Sequence, residues 1–184
     1  MPNVPTLKTA RLTLRELVES DAPAYQRYFA NYEVVRYLAA HVPWPYPQDG
    51  AINYIRDDVL PKQGKDRWVR AITLSERPQE LIGALDLLRN ANPFNRGFWL
   101  AQPFWGRGFM TEAVQAVNDY AFAELKFEKL IFGNAVQNRP SGRIKEKTGA
   151  RLIRRDPGRY VDPSFTEQDV YEFTKDEWAR GKSE

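Results

Sequence analysis
In the run Trp105-Gly106-Arg107-Gly108-Phe109-Met110-Thr111-Glu112, two glycines one residue apart stand just ahead of a helical pattern. That combination suits the binding of a phosphate. Upstream, Gly97-Phe98-Trp99-Leu100-Ala101 reads as a buried strand, and downstream Met110, Ala113, Val114, Val117 and Ala121 recur at helical spacing. The glycines therefore fall at a helix N-terminus. There, unpaired amides and the positive end of the helix dipole favour an anion, and a missing Cβ lets it approach the backbone. A dinucleotide fingerprint would need a third glycine where Thr111 stands, and no Gly-x-x-x-x-Gly-Lys followed by Ser or Thr occurs in the chain. From this segment alone, a plain strand-to-helix turn is the competing reading.

A second segment decides between them. Asn138-Arg139-Pro140-Ser141-Gly142-Arg143-Ile144-Lys145-Glu146-Lys147-Thr148-Gly149-Ala150 follows another strand-like run, Leu130-Ile131-Phe132. Together the two segments resemble the GNAT superfamily of acetyl-coenzyme A-dependent N-acetyltransferases, in particular the branch that acetylates ribosomal-protein N-termini. The branch's pyrophosphate loop, Trp-Gly-x-Gly-Tyr-Ala-Thr-Glu-Ala, is matched from Trp105 to Ala113 with Phe109 and Met110 as substitutions. The later motif, Asn-x-x-Ser and then Glu-Lys-x-Gly-Phe, is met by Asn138, Ser141, Glu146, Lys147 and Gly149, with Ala150 in place of Phe. The resemblance reaches from Thr9-Ala10-Arg11-Leu12 to Asp176-Glu177-Trp178. Two departures bear on the site: Met110 is bulkier than the usual small residue, and Asn95 stands where many relatives carry a Glu.

The resemblance implies a set of roles. The main chain of Trp99, Leu100 and Ala101 would pair with pantetheine and polarise the thioester carbonyl. The loop of Trp105, Gly106, Arg107, Gly108, Phe109, Met110 and Thr111 would hold the pyrophosphate. Ser141 would protonate the departing thiolate, and Asn138 would fix the pantetheine arm or the amine, although Asn138 ahead of Pro140 also reads as a helix cap. Arg143, with Lys145 and Lys147, would approach the 3′-phosphate, or else form a solvated basic face. Without cysteine no acyl-cysteine intermediate is available, so direct attack by an amine in a ternary complex is expected. An α-amine, with a pKa of about 7.7–8.0, asks less of a base than a lysine at about 10.4. Asp86, the one acid within the apolar run 81–88, is the candidate base or else a satisfied strand-end carboxylate. The aromatic residues Tyr37, Trp44 and Tyr46 are expected at the acceptor's rim, with Tyr160 also in reach and His41 a loop residue.

Composition narrows the classes. The charge of +3, on 27 basic and 24 acidic residues that are scattered, points to neither a nucleic-acid tail nor a polybasic membrane anchor. No cysteine and a single histidine practically exclude a zinc centre or a Ser-His triad, so no metal is expected. No apolar stretch approaches about 20 residues and no leader pattern opens the chain, which reads as a cytoplasmic protein. At 184 residues it fits one domain, 1–184, as a monomer or homodimer.

Strands are expected at 11–17, 68–74, 81–88, 97–101, 129–132, 151–155 and 168–174. Helices are expected at 20–29, 33–38, 48–60, from 109 onward and at 140–148, with a polar turn at 75–80 and a proline-stiffened loop at 41–47. This order argues an α+β fold, a mixed and mostly antiparallel sheet with helices on both faces, its strands splayed at the cofactor cleft. The expected activity is acetyl transfer from acetyl-CoA to a primary amine, most of all a protein N-terminal α-amine. Alternatives are a small amine, an antibiotic or an aminoacyl-nucleotide toxin as acceptor, or a non-catalytic coenzyme A-binding module.

Overall fold
The computed structural model describes residues 4–90 and 94–182. Five strands, β1 (Leu7–Lys8), β2 (Leu12–Glu16), β3 (Arg67–Leu74), β4 (Arg77–Leu88) and β5 (Arg96–Leu100), form one antiparallel meander in chain order. A second, three-stranded sheet is ordered β6 (Lys129–Ala135), β8 (Glu167–Thr174), β7 (Arg151–Pro157), again with antiparallel pairing. The helices are α1 (Ala22–Phe29), α2 (Tyr32–Val35), α3 (Gly50–Asn53), α4 (Phe109–Ala123), α5 (Arg139–Lys147) and α6 (Lys175–Gly181).

β3 explains the layering. Every one of its residues is buried, so it reads as a continuous run and not as an alternation. Trp68, Ile72 and Leu74 join the core under α4, whereas Val69 and Ala71 face Tyr25 and Phe29 of α1 and Ile55 beyond α3. Helices therefore cover both faces, as expected. On α4 the residues Met110, Ala113, Val114, Val117 and Ala121 are all buried, and each buried Val or Leu side chain of this core contributes about 1.5–3 kcal/mol. Leu130, Phe132, Tyr171 and Phe173 bring the second sheet into the same core.

Several boundaries differ from expectation. The polar turn shrinks to the residues between β3 and β4, because β4 extends back to Arg77 as an exposed hairpin arm. The stretch 48–60 is not one helix: α3 passes into a π-helical turn at Tyr54–Val59 and a 3-10 turn at Leu60–Lys62 ahead of the strand. Ahead of α1, Asp21 is buried in an ion pair with Arg15 at 2.6 Å and accepts from the Val18 amide. The last described element is α6, whose capping box joins Thr174 to Glu177.

β5 and β6 are edge strands of the two sheets and meet at one point. The Asn95 amide donates to the Ile131 carbonyl at 2.9 Å, its side-chain oxygen accepts from the Ile131 amide at 3.0 Å, and its side-chain nitrogen donates to the Leu88 carbonyl at 3.1 Å. Beyond this stitch the two facing edges have no strand partner among the described residues.

Candidate active site
The loop between β5 and α4 is built as its glycines require. Gly106 and Gly108 have φ of +73° and +79°, where a side chain is strained. The first amide to find a helical acceptor is that of Glu112, on the Gly108 carbonyl at 3.1 Å. Among the described residues the amides from 106 to 111 have no backbone acceptor, and a Cβ at Gly106 would meet nothing within 4 Å. An open row of unpaired N–H groups at a helix N-terminus is able to hold a diphosphate.

The loop is braced from the turn between β1 and β2. Glu112 accepts from the Thr9 hydroxyl at 2.5 Å, the Arg11 amide at 2.8 Å and the Arg11 Nε at 2.7 Å, while Arg11 Nη1 donates to the Arg107 carbonyl at 2.9 Å. Burial works against ionisation of Glu112, but these donors overcome it and hold the carboxyl below its ordinary range. Arg11 and Arg107 stack on the Phe109 ring at 4.6 and 4.9 Å. Met110 points backwards into the core at 4% exposure, so its bulk leaves the row of amides clear. The Trp105 indole donates to the Leu100 carbonyl at 2.7 Å and closes off the end of β5.

The facing wall comes from β6 and α5. Asn138 is the N-cap of α5, its oxygen accepting from the Ser141 amide at 3.2 Å, so the capping role is real. Asn138 and Ser141 both line a cavity of about 730 Å³ that also receives Phe98, Trp99 and Asp86. Ser141 is buried, and its Oγ accepts from Lys145 Nζ at 2.7 Å. Lys145 thus departs from the solvated basic face that it was expected to share with Arg143 and Lys147. It lies at 3% exposure, whereas Arg143 and Lys147 stay on the outside of α5.

The other end of the cavity is aromatic. Tyr37 lines it, stacked on Phe165 at 5.3 Å, and so does Tyr46, edge-on to Phe29 at 4.9 Å and pushed up by burial to about 12. Tyr46 packs so close to Gly50 that a Cβ there would come within 2.8 Å of its ring. Trp44 does not line the cavity. Its ring is 43% exposed and leans on Tyr32 at 5.3 Å, which corrects its placement at the acceptor's rim. Tyr160 and His41 reach the lining, Tyr160 donating to Gln168 at 3.3 Å.

Asp86 faces the cavity in an ion pair that sequence reading did not find. Arg67 Nε lies 3.1 and 3.0 Å from its two oxygens and Nη2 lies 2.5 Å from Oδ2; the same guanidinium donates to the Tyr54 hydroxyl at 2.6 Å and to Asp58 at 3.0 Å. Burial raises the Asp86 carboxyl above the usual range although Arg67 opposes it. The register aligns Val69 with Asp86, which sets Arg67 two residues along on the same face, a diagonal neighbour. Arg96 was also missed. It is buried against the Phe132 ring at 3.8 Å, donates to Asn118 at 2.5 Å, and is lowered by burial to about 9.

Comparison with known proteins adds the family. A model of the acetyltransferase (GNAT) domain matches residues 11–151. The uncharacterized N-acetyltransferase YoaA of Bacillus subtilis is 30% identical over 148 residues, covering 79% of this chain and 82% of its own length. Among solved structures, the ribosomal-protein-S5-alanine acetyltransferase of Vibrio fischeri superposes with a TM-score of 0.79 at 15% identity, over 95% of this chain and 98% of that one. The microcin C7 self-immunity acetyltransferase MccE, in complex with acetyl-CoA and AMP, does so with 0.73 at 16%, over 90% and 93%.

Proposed function
The chain belongs to the GNAT acetyltransferase family, and from that premise we propose that it transfers acetyl from acetyl-CoA to the N-terminal α-amine of a protein or peptide. One observation carries the reading: the unpaired amides of 106–111 adjoin the free edge of β5, and Ser141 stands across the cavity that this edge lines. In this reading residues 1–184 act as one domain, and the amides of the loop bind the diphosphate of the donor. The Leu100 amide at the free edge of β5 orients the pantetheine, whereas Ala101 gives its amide to the Ile82 carbonyl of β4 at 2.8 Å and Trp99, two residues back, turns its main chain the same way. Asn138 keeps Ser141 at the thioester through its cap.

Attack is direct, because the chain has no cysteine to hold the acetyl group. Ser141 passes a proton to the departing thiolate. Asp86, the raised carboxyl on the acceptor side, receives the proton of the amine, and Arg67 holds it in place. An α-amine at about 7.7–8.0 is already partly neutral, so a carboxylate is a sufficient partner. Tyr37 and Tyr46 pack against the acceptor. Arg143, exposed on α5, meets the 3′-phosphate. The name of the Vibrio fischeri neighbour, a ribosomal-protein acetyltransferase, agrees with this acceptor class.

The test is release of free coenzyme A from acetyl-CoA with a panel of acceptors: peptides with free or blocked α-amines, lysine side-chain analogues, aminoglycosides and aminoacyl nucleotides. Turnover confined to free α-amines supports the proposal. Turnover on the small amines alone replaces the acceptor, and none on any of them despite tight coenzyme A binding reduces the chain to a binding module.

A further inference from the structure
We propose that Lys145 is the proton source behind Ser141, its ammonium refilling the hydroxyl as that hydroxyl protonates the departing thiolate. This rests on the acetyl-transfer reading above and deepens it at the thiolate end.

The geometry is that of a relay. Ser141 and Lys145 lie four residues apart on one face of α5, joined at 2.7 Å, and both line the cavity. Around Lys145 Nζ stand the Phe98 ring of β5 at 5.2 Å and the Tyr171 ring of β8 at 5.8 Å. The charged group that acts on it is another cation, Arg96 of β5. A lysine kept for stability would be given a carboxylate, since a buried charge is otherwise costly. Here none of its described contacts is acidic. Arg96 Nη2 also has no hydrogen-bond partner among the described residues, so this end of the cavity presents positive charge without a counter-ion.

Such a floor suits a reaction that sets free an anion. A serine cannot supply the proton alone. An alcohol is nearly as weak an acid as water and far weaker than a thiol, whose pKa is about 8.5, so the transfer is unfavourable by several powers of ten. Refilling removes that barrier. The Oγ–H bond of Ser141 breaks as S–H forms, one Nζ–H proton moves to Oγ, and Lys145 is left as a neutral amine that water in the open cavity recharges; no electrons change hands. Burial and the charge of Arg96 both push Lys145 well below the usual lysine range, which makes it a stronger acid and brings it towards that of a thiol.

The experiment compares wild type with Lys145→Met, Lys145→Arg, Ser141→Ala and the Lys145→Met/Ser141→Ala pair, in kcat, its pH profile and calorimetric affinity for coenzyme A. The relay requires kcat to fall about 100-fold in either single variant with coenzyme A affinity kept within about threefold, and the double variant to be no worse than the worse single. Wild-type kcat should decline on the alkaline side as Lys145 loses its proton. That limb should vanish in Lys145→Met and move to higher pH in Lys145→Arg. Independently of turnover, Nζ-observed NMR of 15N-lysine-labelled free protein should show one lysine, absent from Lys145→Arg, titrating well below the rest.

A Lys145 that titrates with the other lysines, an alkaline limb that survives in Lys145→Met, or single losses that multiply in the double variant would each overturn the relay. Wild type that transfers acetyl while Lys145→Met equals it sinks the relay alone. Wild type that transfers none sinks the acetyl-transfer reading beneath it.

Discussion
Asp86 and Arg67 show how one residue pair serves both packing and chemistry. Their side chains are 17% and 9% exposed, and three donor contacts tie them, so neutralising the acid leaves a guanidinium with only Asp58 and Tyr54. Asp86→Asn should destabilise the fold by about 2 kcal/mol, less than the full cost of breaking a buried pair because those two partners stay. The melting temperature should then drop by about 4–8 °C. If Asp86 takes the amine's proton, kcat measured well below that melting point falls as well, and an unchanged kcat would leave the pair a purely structural role. Gly106 poses the opposite case, since its surroundings are open and only its φ of +73° resists a side chain. Gly106→Ala should therefore cost about 1–2 kcal/mol of local strain. Calorimetry should register this as coenzyme A bound about 10-fold more weakly, with the helical signal of the protein unchanged.

At the scale of elements, Glu112 clamps the start of α4 to the chain entering β2, and the clamp depends on charge. In the folded state its carboxyl is held below its ordinary value, so the stabilisation is complete above the unfolded pKa of about 4.3 and is lost as the pH falls through the lowered folded value. With Arg11 half exposed, Glu112→Gln should cost about 1–2 kcal/mol at pH 7. Urea unfolding at pH 7 and pH 3 should find the gap between variant and wild type shrinking with acid; a gap that stays constant would mean that the charge contributes nothing. α4 and its loop were legible in the sequence because period and glycine spacing are local signals, and the burial of Met110 and Val117 follows from the period alone. The inward turn of Lys145 was not, since the four basic residues of one short helix, Arg139, Arg143, Lys145 and Lys147, differ only in which one faces the cavity. Arg67 needed the register of β3 on β4, which no local pattern states. Trp44 and Tyr46 stand two apart in a proline-stiffened loop, and only the close fit of Tyr46 over Gly50 separates the lining ring from the exposed one.

The molecule as a whole is two sheets sharing a core, stitched at Asn95 and parted beyond it, with the cavity lined by both sheets and the helices beside them. A ligand seated along both edges binds the native state only, so coenzyme A at 100 times its Kd should add about 2.7 kcal/mol and raise the melting temperature by about 5–10 °C. Asn95 sets the vertex of this opening through its backbone bond to Ile131 and its three side-chain bonds, to Ile131, Leu88 and Arg89. Asn95→Ala removes the three side-chain bonds at a cost of about 1–3 kcal/mol and frees the strands to shift at the point where they diverge. If the spacing of the edges is what fits the pantetheine, the variant should lose a large part of the ligand-induced rise in addition to its own lower melting point. An Asn95→Asp variant, which keeps the acceptor for the Ile131 amide but not the donor to Leu88, should fall between the two. A rise on coenzyme A equal to that of wild type, in a variant already destabilised, would assign the affinity to the 106–111 amides alone and leave the vertex with a folding role only.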